Sequence, residues 1–178
     1  MPGVAGCHDE GDYDDQRWDP LWQAAVDLDL PLSFHILTSG SDVLGGAGFR
    51  GPKMNGFMGI IRGCQDIIGT LIFGGVFERF PALRLASVEN GASWIPDLLH
   101  RLDNAANRNP GYFAEHPNET FGEHVWVTPF WEDDVPGLLG VVRTDRLLLG
   151  SDWPHAEGTR RPMDFVTETL AGLSEEDV

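Results

Sequence analysis

The sequence predicts an α/β fold in which parallel strands alternate with helices. Short apolar segments alternate along the chain with longer segments whose apolar residues recur at helical spacing. Such alternation is typical of parallel strands with helices packed outside them. Several of the short segments also end in polar, turn-forming residues, as strands do where a buried sheet reaches solvent. The predicted strands are residues 32–37, 83–89, 124–130 and 145–150.

Length and composition predict one globular domain. The 178 residues are 42% apolar and carry a formal net charge of −16, which disfavours binding to nucleic acid or an anionic membrane. We expect a single domain over residues 1–178, with an acidic loop over 1–17 and then a helix and four strand–helix units over 18–173. Cys7 and Cys64 have no disulfide or metal spacing, which favours the cytoplasm. A small-molecule substrate is expected, and a homodimer is compatible with the sequence.

The first helix is predicted over residues 18–30. Pro20 takes an early position in it, where proline is favoured, and the apolar residues that follow are spaced for one buried face. Pro31 ends the helix. The strand that follows carries His35 near its carboxyl end, where it is either a core histidine bonded to a backbone carbonyl or a functional imidazole.

A long glycine-rich loop is predicted over residues 40–63. Loops of this length in compact domains are usually functional or disordered. Arg50 and Lys53 place basic side chains on this loop of a very acidic protein, where they are suited to receive a substrate carboxylate. The alternative is that they are simply solvated.

The remaining helices are predicted over residues 65–79, 96–107, 132–142 and 164–173, and residues 111–123 are predicted to be irregular. Gly69, Gly74 and Gly75 weaken the first of these helices, and they are typical of close packing against a sheet.

Three side chains suited to chemistry share one position in the predicted topology. His35, Glu89 and Asp152 each stand at the carboxyl end of a different strand. The carboxyl ends of parallel strands lie on one face of a sheet or barrel, so we expect these side chains to converge. Each alone has an ordinary explanation, such as a turn or helix cap for Asp152. Their convergence by chance is much less expected, which favours a functional site.

Three segments of the chain are distinctive: LPLSFHI over residues 30–36, GGVFERFPALRLASVENGASWIP over 74–96, and LLLGSDWPHAEG over 147–158. Together they resemble the amidohydrolase-2 branch of the metal-dependent amidohydrolase superfamily. That branch includes aminocarboxymuconate-semialdehyde decarboxylase and the resorcylate-type decarboxylases. The resemblance extends over nearly the whole chain.

The resemblance implies a distorted (β/α)8 barrel that binds one divalent metal ion, commonly zinc. The family ligands are a His-x-His pair on the first strand, a His on the fifth and an Asp on the eighth. His35 then corresponds to the fifth-strand ligand, and Asp152 to the eighth-strand ligand and proton relay. A metal ion held in this way acidifies a bound water and polarises a substrate oxygen.

The chain departs from the family pattern in its length. A (β/α)8 barrel needs about 250 residues, whereas this chain has 178 and no His-x-His sequence. We therefore expect the second half of a TIM-like barrel, truncated at both ends, with an unpaired edge strand and part of the metal site. Such a chain, expressed alone, is expected to be inactive or prone to aggregation.

Glu89 is a second departure, because the family commonly has a catalytic or metal-ligating His at the end of the sixth strand. A glutamate there, together with Asp152, would nearly neutralise a divalent cation and soften its Lewis acidity. Glu89 is otherwise a general base or proton donor. The remaining alternative is that it caps the turn or pairs with a loop arginine.

Further side chains are predicted to line the same mouth. His155 follows Asp152 closely enough to hydrogen-bond a substrate or orient a metal-bound water, and it is assigned a catalytic role. Trp94 and Trp153 fall just past strand ends, where their rings would form the apolar wall of a substrate pocket. Packing and ordinary loop roles are the alternatives for all three.

The sequence thus predicts a metal-dependent hydrolase or carboxy-lyase that acts on a small carboxylate-bearing ring or unsaturated acid. Non-oxidative decarboxylation is favoured, and hydrolysis of a C–N or C–O bond by metal-activated water is the alternative. An inactive fragment or a non-catalytic binding module fits the missing His pair. A small flavodoxin-like sheet fits the length of the chain. The sequence, however, has no glycine-rich phosphate loop directly after its first predicted strand.

Overall fold

The computed structural model describes residues 11–36, 62–155 and 158–174. At its centre is a parallel sheet of three strands that neighbour one another in chain order: β1 (Leu32–His35), β2 (Leu85–Val88) and β3 (Val125–Val127). His35 lies opposite Val88 in the β1–β2 register. The predicted α/β fold with parallel strands is therefore confirmed.

The fourth predicted strand, residues 145–150, is reduced to a single rung of the sheet. Val127 and Leu147 form an isolated parallel bridge, and the Leu148 amide donates to the Val127 carbonyl at 2.8 Å. A 3-10 turn over Thr144–Arg146 replaces the start of the predicted strand. Leu148 is 40% exposed, because no described strand lies beyond it at this edge of the sheet.

The described residues form helices α1 (Asp19–Asp27), α2 (Arg62–Phe73), α3 (Val76–Arg79), α4 (Ile95–Arg108), α5 (Pro117–His124) and α6 (Val135–Leu138). A 3-10 turn over Gln16–Trp18 precedes α1. A π-helical turn over Phe165–Thr169 replaces the final helix predicted over residues 164–173. No helix in the described ranges is both long and apolar enough to cross a lipid bilayer.

Two predicted helices are shorter than expected. The helix predicted over residues 65–79 is divided into α2 and α3, since Gly75 has a left-handed backbone with φ of 67° that interrupts a continuous helix. The helix predicted over residues 132–142 is shortened to α6. Its first turn is capped by Asp134, whose carboxylate accepts from the Gly137 amide at 3.0 Å.

Residues 111–123 were predicted to be irregular, but they contain most of α5. Pro117 occupies the start of this helix, where a proline costs no hydrogen bond. The ring of His116 accepts from the Asn118 amide at 3.3 Å and caps the helix. A histidine cap is a weak sequence signal, which explains why the helix was not predicted.

The two faces of the sheet are unequally covered. Side chains alternate between the faces along each strand. One face carries Leu32, Phe34, Leu85, Ser87, Val125 and Val127, and all of these except the half-buried Leu32 are at most 1% exposed beneath the helices. The opposite face is half-buried or exposed at Ser33, His35, Val88 and Trp126. The described helices therefore cover the sheet on one side.

The acidic N-terminal segment is anchored to the core. The loop predicted over residues 1–17 is described from residue 11 onward. Within it, Tyr13 is 1% exposed, and its ring packs edge-to-face on Trp22 and Phe34 with centroid distances of 5.9 and 5.5 Å. This buried ring ties the segment to α1 and β1.

Candidate active site

The structure brings four of the predicted site residues together. His35 is the last residue of β1 and Glu89 directly follows β2, and Nε2 of His35 lies 2.8 Å from Oε2 of Glu89. Asp152 follows the segment that bridges to β3. Glu89, Asp152 and His155 each place one nitrogen or oxygen atom within 4.8 Å of the other two. We call these four residues the strand-end cluster.

The ring of His35 has a defined orientation. Nδ1 lies 2.9 Å from the carbonyl oxygen of Ile36, and because a carbonyl can only accept, Nδ1 carries the proton of this bond. Nε2 is therefore the nitrogen that faces Glu89. The side chain is 49% exposed, so His35 is not a residue of the hydrophobic core.

Glu89 and Asp152 both have left-handed backbone conformations, with φ of 54° and 53°. This conformation costs a residue other than glycine about 1–2 kcal/mol. It is better tolerated by aspartate than by glutamate. Such strain persists where the surroundings hold the residue, and it concentrates at functional sites. The backbone thus supports a functional role for both carboxylates.

The loop that carries Asp152 folds back on itself. The Thr159 amide donates to the Ser151 carbonyl at 2.8 Å, and the His155 amide donates to the Asp152 carbonyl at 2.9 Å. Nδ1 of His155 also lies 3.1 Å from Oδ1 of Asp152. His155 therefore contacts Asp152 through both its backbone and its ring, which fixes the carboxylate from within its own loop.

Three members of the strand-end cluster, Glu89, Asp152 and His155, hold donor atoms close enough together to share a divalent metal ion, and His35 joins them through its contact with Glu89. Two imidazoles and two carboxylates offer nitrogen and oxygen ligands, which suit zinc and manganese. The bond from Nδ1 of His35 to a backbone carbonyl is the contact that commonly orients a metal-binding histidine. Nε2 of His35, which contacts Glu89, is then the nitrogen that would bind a metal ion.

Proton binding within the cluster is favoured by its own charges. Burial raises the pKa of Asp152, and the hydrogen bond and charge of Glu89 raise it further. The nearby histidines oppose this shift but do not cancel it. Burial lowers the pKa of His35, but the Ile36 carbonyl and the Glu89 carboxylate outweigh burial and raise it. Without a metal ion, both groups therefore hold a proton to a higher pH than usual.

The raised pKa of His35 predicts a pH-dependent stability. The folded protein binds this proton more tightly than the unfolded chain. The stabilising contribution is therefore complete below the ordinary value of 6.5, and it is lost as pH rises through the higher folded-state pKa.

We expect Glu89→Gln to lower the titration midpoint of the His35 ring, measured by NMR on the metal-free protein. The exposed Glu123→Gln variant is the control and should leave that midpoint unchanged. An identical His35 midpoint in the wild type and in Glu89→Gln would show that Glu89 does not raise the pKa of His35.

Trp94 lies in the hydrophobic core. Its ring is 6% exposed and packs within the core cluster. Its Nε1 donates to the carbonyls of Asn90 and Gly91 at 3.0 and 2.8 Å. These bonds hold the ring inward at the start of α4, and its role as a substrate contact stays a prediction. Trp153, by contrast, is 68% exposed beside Asp152.

Two further predicted substrate-binding residues, Arg50 and Lys53, lie outside the described residues. Asn90 is a site neighbour that sequence reasoning missed, because Asn90-Gly91 was interpreted only as a turn. It is 1% exposed, and Nδ2 donates to the carbonyls of Phe34 and Val88. The available signal was a polar residue directly after a strand end.

Comparison with known proteins relates the whole chain to one family. A sequence model of the amidohydrolase family matches residues 5–178. The 2-amino-3-carboxymuconate-6-semialdehyde decarboxylase of Dictyostelium discoideum is 29% identical over 114 residues, which cover 61% of this chain and 31% of that protein.

Solved structures agree with this relationship. Amidohydrolase map2389c from Mycobacterium avium subsp. paratuberculosis K-10 has a TM-score of 0.81 and 37% identity, covering 93% of this chain and 43% of that one. The dihydroxybenzoic acid decarboxylase from Polaromonas sp. JS666, with bound manganese and the inhibitor 2-nitroresorcinol, is similar in fold. Its TM-score is 0.61 at 22% identity, covering 93% of this chain and 51% of that one. The chain thus spans from about a third to about half the length of these relatives. Since the family match includes both β1 and the Asp152 loop, the chain belongs to the amidohydrolase family.

Proposed function

We propose that this chain carries part of the active site of a divalent-metal-dependent decarboxylase. The substrate is a small acid with its carboxylate on an aromatic ring or an unsaturated chain, and its cleavage is non-oxidative. One observation carries the proposal. His35, Glu89 and Asp152 meet where parallel strands end, and both carboxylates are held on left-handed backbone.

The names of the relatives support decarboxylation over hydrolysis. The Dictyostelium relative and the Polaromonas structure are both described as decarboxylases, and their substrates are carboxylated unsaturated or aromatic acids by name. No feature of the strand-end cluster favours hydrolysis of a C–N or C–O bond over loss of carbon dioxide. Hydrolysis is therefore kept as an outcome of the test.

The proposed metal ion is zinc or manganese. The family resemblance favours zinc, whereas the Polaromonas structure contains manganese, and mixed nitrogen and oxygen ligands accommodate both. His35 and Asp152 would hold the ion, with Glu89 and His155 beside them. When bound, such an ion polarises a substrate oxygen and acidifies a bound water.

The residues of the chain have separable roles in this chemistry. When the C–C bond breaks, its electron pair stays on the carbon, which takes up one proton as carbon dioxide leaves. Asp152 is placed to relay that proton, because its carboxylate lies beside Glu89 and His155. His155 lies 3.1 Å from the Asp152 carboxylate and is placed to exchange the proton with it. His35, fixed by Ile36, orients its ligand nitrogen instead.

We further propose that β1, β2, β3 and the Leu147 segment are consecutive wall strands of a (β/α)8 barrel. The half-exposed face of the sheet would then line the barrel interior. Two features support this arrangement. The described strands neighbour one another in chain order without the reversal that a flavodoxin-like sheet needs, and helices bury one face. The cytoplasmic location and the homodimer remain predictions from the sequence.

The test uses the whole protein that carries this sequence, loaded with zinc or manganese. It is given hydroxybenzoates and 2-amino-3-carboxymuconate 6-semialdehyde with a labelled carboxylate, together with amides, esters and lactones of similar size. We expect release of labelled carbon dioxide, which Asp152→Asn abolishes. Hydrolysis without carbon dioxide release, or no turnover of any substrate class, would contradict the proposal.

A further inference from the structure

We infer that Asn90 is a positioning residue of the strand-end cluster, whose side-chain amide ties the end of β1 to the end of β2. In doing so it holds His35 against Glu89. The inference deepens the proposed function and rests on it in treating these two side chains as parts of a metal site.

The hydrogen bonds of the Asn90 side chain carry the inference. Its Nδ2 donates to the Phe34 carbonyl at 3.1 Å and to the Val88 carbonyl at 2.8 Å. Both partners can only accept, so the amide nitrogen must face them, and both of its protons are used. Phe34 directly precedes His35, and Val88 directly precedes Glu89. One buried amide therefore bonds the residue before each member of the pair.

The Asn90 amide lies where the backbone hydrogen bonds between β1 and β2 end, so a side chain is needed to join the two strands there. The Ile36 amide donates to the Val88 carbonyl at 3.0 Å at the end of the β1–β2 pairing. Directly after it, the left-handed backbone of Glu89 turns the chain out of the strand direction. The Asn90 amide spans the two strands at this point and fixes them where the backbone ladder ends.

The loop that carries Asn90 is itself held in place. Trp94 donates to the carbonyls of Asn90 and Gly91. The Ala92 amide donates to Oδ2 of Asp133 at 2.8 Å, which connects this loop to the segment that follows β3. Asn90 is 1% exposed, so its amide cannot turn to solvent without breaking this packing.

Asn90→Ala tests the inference, with Ser87→Ala as the matched control. Ser87 is on β2, fully buried and hydrogen-bonded, but its hydroxyl accepts from the Cys64 thiol on the helix-covered face of the sheet. We expect Asn90→Ala to weaken zinc or manganese binding about 10–100-fold, as the loss of an orienting contact does. Ser87→Ala should lower the melting temperature but leave the metal affinity within about twofold of the wild type.

Unchanged metal affinity in a folded Asn90→Ala protein would overturn the inference. If Asn90→Ala does not fold, Asn90→Ser, which retains one donor, is measured instead, and a smaller loss of affinity is expected. If the wild type itself binds neither metal, the proposed function fails. The inference is then decided by the ¹⁵N chemical shift of Nε2 of His35 in the metal-free protein. A change in this chemical shift in the Asn90 variant but not in Ser87→Ala supports the positioning role of Asn90. The same chemical shift in the wild type and both variants overturns that role.

Discussion

Asp152→Asn is expected to lower divalent-metal affinity by more than about 100-fold, because it removes a charged ligand and not merely a contact that orients one. The metal-free variant is expected to be as stable as the wild type or slightly more stable. Metal affinity is measured by titration with zinc or manganese, and stability by thermal unfolding in the presence of a chelator.

The expected gain in stability has a physical cause in the cluster. Burial and the neighbouring Glu89 carboxylate raise the pKa of Asp152, so its ionised form is disfavoured in the folded protein. An amide at this position removes that repulsion at neutral pH, and asparagine tolerates φ of 53°. The gain is on the order of 1 kcal/mol or less, or up to roughly 2–4 °C in Tm. A residue needed only for folding would show a loss of stability instead.

Asp29→Asn is the matched control, because Asp29 also has φ of 53° but pairs with Arg84 instead of a carboxylate. This variant isolates the backbone effect of the change from aspartate to asparagine. It should leave metal affinity unchanged and give no gain in stability. Equal metal affinity in Asp152→Asn and in the wild type would remove Asp152 from the site.

Gly158→Ala is expected to destabilise the protein by about 1–3 kcal/mol and to weaken metal binding at the same time. A Cβ atom on Gly158 would lie 2.5 Å from the carbonyl oxygen of Asp152 and 2.7 Å from that of Ser151. These are backbone atoms, so the loop itself must shift, and the shift displaces the Asp152 carboxylate. Denaturant unfolding gives the loss in free energy, and metal titration gives the loss in affinity.

Gly69→Ala is the control for this substitution. Gly69 lies within α2, and a Cβ atom there would have no neighbour within 4 Å. The same chemical change should therefore stabilise the protein by about 0.5–1 kcal/mol, because alanine is the better helix former. It should not alter metal affinity. A Gly158→Ala protein with wild-type stability and affinity would show that the loop does not constrain Asp152.

The order of elements was predictable from the sequence where periodicity and proline agreed. The segment around Pro20 and the helix predicted over residues 96–107 match α1 and α4 closely. The predicted strand over residues 145–150 does not, because a strand needs a partner as well as apolar residues, and only Leu147 pairs there with β3. Sequence pattern alone does not report that partner.

The convergence of His35, Glu89 and Asp152 followed from strand ends alone, because parallel strands fix which ends share a face. The distances between these side chains and the ring orientation of His35 did not follow. They depend on two left-handed residues and on the Ile36 carbonyl, which no local pattern encodes. Trp94 shows the opposite limit. Its position after a strand end did not indicate that hydrogen bonds to the preceding turn hold its ring in the core.

We expect the strand-end cluster to bind one divalent metal ion through Nε2 of His35. We test this by titrating the whole protein that carries this sequence with zinc while the nitrogen shifts of its histidines are recorded by NMR. We predict that Nε2 of His35 moves to a metal-bound value and saturates at one equivalent. Three other histidines serve as internal controls and should remain unchanged. His100 lies on α4, His116 caps the start of α5, and His124 is the last residue of α5. A His35 signal that stays unchanged at saturating zinc would show that His35 does not bind the metal ion.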